Sequence, residues 1–224
     1  MASRALVASG PMKHWSRIEW VLLVSYGLAV GAALAGIRGV TDTLLILLAA
    51  ANAHAVIGHH WGVKLARRWA LSVLVILALA VAIGTKTGQP FGSFYFTDRL
   101  GPMLLGVVPL AVPFLWYAVI SSFLLLARAF LPWASARNEA LAVSAGVVLF
   151  DFLTEPYWLW TRGAWFWSTN RVPVQNYIAW AAITYLLVRL VAPSSGMRWE
   201  REWRPVVIVL GLVAITLRRY QDLF

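Results

Sequence analysis

The chain contains no cysteine and little charge. Without cysteine there is no disulfide framework, which excludes a small stapled secreted domain. Charged residues make up 12% of the 224 positions, about half the share of an ordinary soluble domain. Hydrophobic residues make up 61%, and mean hydropathy is +0.73. A disordered chain is excluded, and one water-soluble core could not hide so much apolar surface. Acidic residues are scarce as well, nine against nineteen Lys and Arg, for a net charge of +10. In a soluble domain that balance points to nucleic acid. Here the cations sit mainly at the ends of apolar runs, where topology and lipid headgroups account for them. Membrane lipids are therefore expected partners and nucleic acid is not.

What the chain has in quantity is long apolar sequence. A helix needs roughly 20 mostly apolar residues to cross a bilayer. Seven segments qualify in outline: Ile18–Ile37, Thr43–Ile57, Trp69–Ile83, Met103–Leu131, Ala140–Leu153, Tyr177–Ala192 and Pro205–Leu217. The second, third and fifth are short and should extend into their polar flanks. The fourth is long and carries Pro109 and Pro113, so a kink or break is expected there. No repeat or linker divides the chain. The expectation is an all-α, polytopic helix bundle of about seven transmembrane helices, a single domain over 1–224. Residues 1–17 are polar and basic, and the first apolar run is long enough to span, so no cleavable signal peptide is expected.

Orientation follows from the cations. With a cytoplasmic N-terminus the inside set is Arg4, Lys13, Arg17, Lys64, Arg67, Arg68, Arg128, Arg137, Arg189, Arg198, Arg201 and Arg204, twelve in all. The outside set is Arg38, Lys86, Arg99, Arg162, Arg171, Arg218 and Arg219, seven in all. The bias predicts N-inside and C-outside in the cytoplasmic membrane. It also puts the two polar-aromatic loops, 84–102 and 154–176, on one side, where they could build one site.

Ionisable groups inside apolar spans are costly and mark functional sites. Asp151 follows the apolar run Val143–Phe150, and Glu155 comes four residues later in Asp151-Phe-Leu-Thr-Glu155-Pro156. On a helix that spacing puts both carboxylates on one face, and Pro156 is expected to end or kink the helix. Two adjacent carboxyls in low dielectric do not both ionise cheaply, so one keeps a proton, the profile of a general acid. The competing reading is a carboxylate paired with Arg162 or Arg99 at the membrane rim. Downstream, Trp158, Trp160, Trp165 and Trp167 place four indoles in ten residues. They form either an interfacial aromatic belt or a surface whose ring faces stabilise a cation.

The loop Gly84–Pro102 is too rich in glycine for a plain helix, and non-helical backbone at membrane depth is tolerated where it lines a cavity. It lacks Walker spacing. Asp98 within it is either a rim charge or a substrate contact. Histidines number four, and none has a carboxylate at metal-ligand spacing, so no metal is expected. His54, inside the second span beside Asn52, is a candidate substrate contact or a helix-packing hydrogen bond. No dinucleotide fingerprint follows a strand, so no cofactor is expected. A retinal protein would need a lysine in its last span, and Lys13, Lys64 and Lys86 all lie elsewhere.

Several ordered motifs between Gly84 and Tyr185 resemble the carotenoid 1,2-hydratases of bacteria and archaea (the CruF type). They are Gly88-Gln-Pro90-Phe91-Gly92-Ser-Phe94-Tyr95-Phe96, Leu100-Gly101-Pro102, and Val107-Val-Pro109-Leu-Ala-Val-Pro113-Phe-Leu-Trp116-Tyr117. Asp151–Pro156, Trp165-Phe-Trp167 and Val172-Pro173-Val-Gln175-Asn176-Tyr177-Ile-Ala-Trp180 continue the pattern. The resemblance implies hydration of the terminal double bond of an acyclic carotenoid end group, without a redox cofactor, with other carotenoid-biosynthesis enzymes as candidate partners. Asp151 or Glu155 would protonate the alkene to a tertiary carbocation. Trp158, Trp165, Trp167 or Tyr95 would stabilise that cation. Asn176, Gln175 or the second carboxylate would place the water. Phe91, Trp116 and Asp98 complete the expected substrate contacts. One departure stands out: the resemblance implies an acidic residue ahead of the Gly-x-x-Thr-Gly stretch, where this chain has Val81-Ala82-Ile83.

Two other readings remain at this point. A lycopene-type cyclase starts with the same protonation but traps the cation with the chain's own double bond. A non-catalytic carotenoid-binding membrane protein would hold intact pigment and make no product.

Overall fold

A computed structural model describes residues 14–37, 41–193 and 202–220. Seven α-helices are found among them: α1 (Arg17–Leu34), α2 (Asp42–Trp61), α3 (Val63–Thr87), α4 (Ala111–Phe130), α5 (Ala136–Pro156), α6 (Val174–Leu190) and α7 (Arg204–Tyr220). Five of them, α1 to α5, are long and apolar enough to cross a membrane. The shorter α6 and α7 have 17 residues each, the lower end of the spanning range of about 17–25. The chain is an all-α, multi-pass membrane protein. Of the cations in the orientation count, Arg4, Lys13, Arg38, Arg198 and Arg201 lie outside the described residues.

The membrane reading is visible in how α3 spends its apolar residues. Trp69, Val73, Leu77 and Val81, four apart, are buried against the bundle, while Leu71, Val75, Leu79 and Ile83 form a second stripe that is exposed. A water-soluble helix would make that outer stripe polar. Helix α4 is apolar all round and sits at the centre, touching α2, α3, α5 and α7. Its Ala118, Val119, Ile120, Leu124 and Leu125 are fully enclosed. Against it, α5 approaches closely at Gly146, where an added Cβ would lie 2.5 Å from the Phe123 ring.

Helix α7 is fastened at its start by charge. Arg204 donates to Glu19 of α1 (2.8 Å) and to Glu202 (2.6 Å), and its guanidinium lies 4.3 Å from the Trp15 ring centroid. His59 and His60 of α2 face Glu19 and Glu202 at 3.0 and 3.1 Å. Burial pushes the Glu202 carboxyl up, but the hydrogen bonds from Arg204 and His60 outweigh it and hold it at about 2.

The region from Met103 to Ala111 differs from the sequence expectation. The run from Met103 does not begin a helix. Met103–Leu104 (β2) and Val108–Pro109 (β3) form a small antiparallel ribbon, because Pro102, Gly106 and Pro109 break any helical ladder. Helix α4 starts at Ala111 and takes Pro113 in its first turn, where a missing N–H costs nothing. Pro156 ends the α-helix as expected, but the chain stays helical beyond it. α5 passes into a wider π-helical turn, Tyr157–Thr161, closed by Arg162 N–H donating to the Tyr157 carbonyl at 2.8 Å. Such turns cluster at functional sites.

Candidate active site

Asp151 and Glu155 sit one turn apart on the inner face of α5, each 2% exposed. The rim reading fails on position: Arg162 pairs with Asp42 instead, and Arg99 is exposed at the loop surface. Among the described residues neither carboxyl has an ion-pair partner. What they have is each other and three neutral donors. The two side chains line one cavity together. Asn176, in the first turn of α6, donates its amide N–H to Asp151 Oδ2 at 2.7 Å. Trp165 and Trp167 both donate indole N–H to Glu155 Oε1, at 3.0 and 2.7 Å.

The two tryptophans are held by a β-ribbon that caps the helices. Phe94–Phe96 (β1) pairs antiparallel with Trp165–Trp167 (β4), with Phe94 opposite Trp167 and Phe96 opposite Trp165. Alternation in a strand sends every second side chain to one face. Phe94, Phe96, Trp165 and Trp167 therefore point to the carboxyls, and Tyr95 and Phe166 pack together on the outer face. Thr97 ties the two loops further, its N–H bonding to Ala164 O at 3.0 Å and its hydroxyl to Gly163 O at 2.7 Å. At Gly92, φ is +106° and an added Cβ would lie 2.7 Å from Pro173 Cγ, so only glycine lets the loop close on the start of α6.

Beneath the ribbon lies a small cavity enclosed by α3 to α6 and the two loops. Its wall is aromatic and aliphatic apart from Asp151, Glu155 and Asn176. Trp116 of α4 stacks on Trp180 of α6 (centroids 3.9 Å apart), and Phe91 packs on Trp180 from the loop side. Val81 contributes an apolar stretch of wall.

Of the sequence candidates, the fold brings Asp151, Glu155, Phe91, Trp116, Trp165, Trp167 and Asn176 together around this cavity. The others lie elsewhere. Trp158 stacks behind Trp165 (centroids 5.7 Å apart) and faces a second, smaller cavity. Tyr95 is 56% exposed. Asp98 is exposed in a short 3₁₀ turn. Gln175 is exposed and bonds to the Gln89 side-chain oxygen at 3.0 Å. His54 bonds to the Tyr117 hydroxyl at 2.9 Å within the helix bundle. Besides Val81, four wall residues were not singled out from sequence: Phe94, Phe96, Val112 and Trp180. Phe94 and Phe96 could have been found from strand alternation about Tyr95, and Trp180 from its i,i+4 spacing to Asn176.

Fold and site together define a class: a polytopic helical membrane protein with two carboxyls buried in an aromatic cavity under a tryptophan-bearing ribbon. Residues 40–220 match the model of the carotenoid biosynthesis protein family, and the chain belongs to that family. Among its relatives is the bisanhydrobacterioruberin hydratase of Haloarcula japonica, 32% identical over 124 residues. That match covers 52% of this chain and 42% of the relative, so less than half of the relative's length is represented. No solved structure matches the chain.

Proposed function

We propose that this protein is a cofactor-independent carotenoid hydratase of the cytoplasmic membrane. In this reading it adds water across the 1,2 double bond at the end of an acyclic carotenoid. The observation that carries the proposal is the Asp151–Glu155 pair, sunk with no counter-cation among the described residues in an aromatic cavity of a carotenoid-biosynthesis family member. The name of the Haloarcula relative supports the reaction class.

The chemistry assigns different tasks to the two carboxyls. Glu155 accepts two indole N–H bonds on one oxygen, which suits the ionised partner, an acceptor only. Asp151 keeps the proton and delivers it to the less substituted carbon of the double bond. A C–H bond forms, the π bond is spent, and a tertiary cation is left facing the Glu155 carboxylate. Water then attacks the cation and passes its extra proton back to the pair, restoring one proton shared between two carboxyls. Asn176 fixes Asp151 through its amide N–H and leaves its own carbonyl oxygen as an acceptor that can orient the water. The aromatic wall keeps bulk solvent from trapping the cation early.

Expression in cells that accumulate an acyclic carotenoid tests the proposal. The pigment should gain the mass of one water per modified end. An unchanged mass with an altered absorption spectrum would mean that the cation is trapped internally, as in a cyclase. Intact pigment bound to the purified protein, with no product, would mean a carrier.

A further inference from the structure

A buried acid outside the cavity, Asp42, is not used by the reaction outlined above. Asp42 is the first residue of α2 and is 3% exposed. An acid in the first turn of a helix is ordinary, because it offsets the helix dipole. A buried one that reaches 115 residues along the chain is not. Asp42 Oδ1 accepts the Tyr157 hydroxyl at 2.9 Å, and Asp42 Oδ2 pairs with the Arg162 guanidinium.

Those two partners are the ends of the π-helical turn. Tyr157 opens it, and the Arg162 N–H closes it onto the Tyr157 carbonyl. One carboxylate thus grips both ends of the irregular turn that separates Glu155 from β4. Inside the turn, Trp158 O accepts the Ala164 N–H at 2.8 Å, and the Trp158 ring stacks on Trp165. Trp165 is one of the two indoles on Glu155. The next residue of α2 fastens the other loop: the Thr43 hydroxyl donates to Leu100 O at 3.1 Å. The first turn of α2 therefore anchors both loops that form the ribbon over the cavity.

We infer that Asp42, with Tyr157 and Arg162, is a positioning device that sets the Trp165 indole on Glu155. Asp42 does not line the cavity that holds the two carboxyls; with Tyr157 and Trp158 it borders the second cavity, and it reaches Glu155 through the turn. The inference rests on the proposed hydratase reading for its kinetic consequence. Its structural consequence, a turn held by Asp42, stands apart from any activity.

The test uses the full chain in detergent with three variants, Asp42→Asn, Arg162→Gln and Arg162→Lys. Asp42→Asn keeps the shape but loses the charge, and should cut kcat about 10- to 100-fold, the cost of misplacing a catalytic group by about an ångström. KM should stay within about twofold, because the cavity wall is untouched. Arg162→Gln, at a half-exposed position, should reproduce the defect. Arg162→Lys, which retains the cation, should recover most of the rate. Amide hydrogen exchange supplies the second readout: Asp42→Asn should lose protection across residues 158–167 while α4 stays protected. Normal kcat in both Asp42→Asn and Arg162→Gln would overturn the inference. So would a raised KM with unchanged kcat, or equal loss in Arg162→Lys and Arg162→Gln. If the wild type hydrates nothing, the proposed function falls, and the exchange data alone decide whether Asp42 holds the turn: unchanged protection at 158–167 would then sink it.

Discussion

Trp165 and Trp167 meet Glu155 through their edges, and that geometry separates two explanations of why tryptophan stands there. If indole faces stabilise a cation, phenylalanine retains part of the benefit, since its ring also has a negative face. If the N–H groups matter, phenylalanine is no better than leucine. The structure favours the second, with both N–H groups on one oxygen at 3.0 and 2.7 Å. Protonating the alkene leaves both carboxyls charged side by side, so the N–H bonds count most as the transition state forms. A hydrogen bond to a charged group is worth about 1.5–3 kcal/mol, and about 1.4 kcal/mol is tenfold in rate. Trp167→Phe, which removes the shorter bond, should therefore lower kcat by about 10- to 150-fold, with Trp167→Leu similar. Trp165→Phe should fall in the same range, and the double variant should be more than additive, because Glu155 is then buried with no neutral donor from the ribbon. The assay is turnover of a purified acyclic carotenoid in detergent, followed by chromatography of the hydrated product. Near-normal turnover in Trp167→Phe beside a large loss in Trp167→Leu would refute the hydrogen-bond reasoning and restore the ring face.

Reporter fusions should place the N-terminus in the cytoplasm and the C-terminus outside, as the twelve-to-seven bias of cations predicts; a cytoplasmic C-terminus would remove one span or invert the bundle. Turnover should survive chelators and need no nicotinamide or flavin, and loss after EDTA that a single metal restores would contradict a purely carboxyl-driven reaction. Gly92→Ala should lower stability by about 1–3 kcal/mol, read as a reduced thermal midpoint in detergent, since it forces a side chain into positive φ and against Pro173. An unchanged midpoint there would mean that the loop closes on α6 in some other way.

How much was readable without coordinates depended on the range of the interaction. The pairing of Asp151 with Glu155 is local, set by the turn of one helix, and four-residue spacing displays it directly. The two-loop construction was visible only as a shared side of the membrane. The register that puts Phe94 opposite Trp167 joins residues 73 positions apart, and no local pattern fixes such a pairing. Tryptophan content pointed to the right segment but not to its use, because composition does not say whether a ring's face or edge is presented. Asp42 escaped notice because an acid after Thr41 reads as an ordinary helix start, and its partners lie far along the chain. The competing reading, a carboxylate paired with Arg162 or Arg99 at the rim, fails for Arg162 because the π-helical turn carries it to Asp42 of α2. The helix expected from Met103 failed for a local reason, the Gly and Pro residues scattered through an apolar run.

The most direct measurement is the mass of the carotenoid recovered from cells making the wild type, Asp151→Asn, Glu155→Gln or Asp98→Asn. Removing a general acid costs about 100- to 10,000-fold in rate. The wild type should add one water per modified end, and Asp98→Asn, altered only at the exposed edge of the loop, should do nearly the same. Asp151→Asn and Glu155→Gln should return unhydrated pigment while still inserting and binding it. Hydrated product from both amide variants, with none from Asp98→Asn, would place the acid in the 84–102 loop and contradict a carboxyl pair on α5.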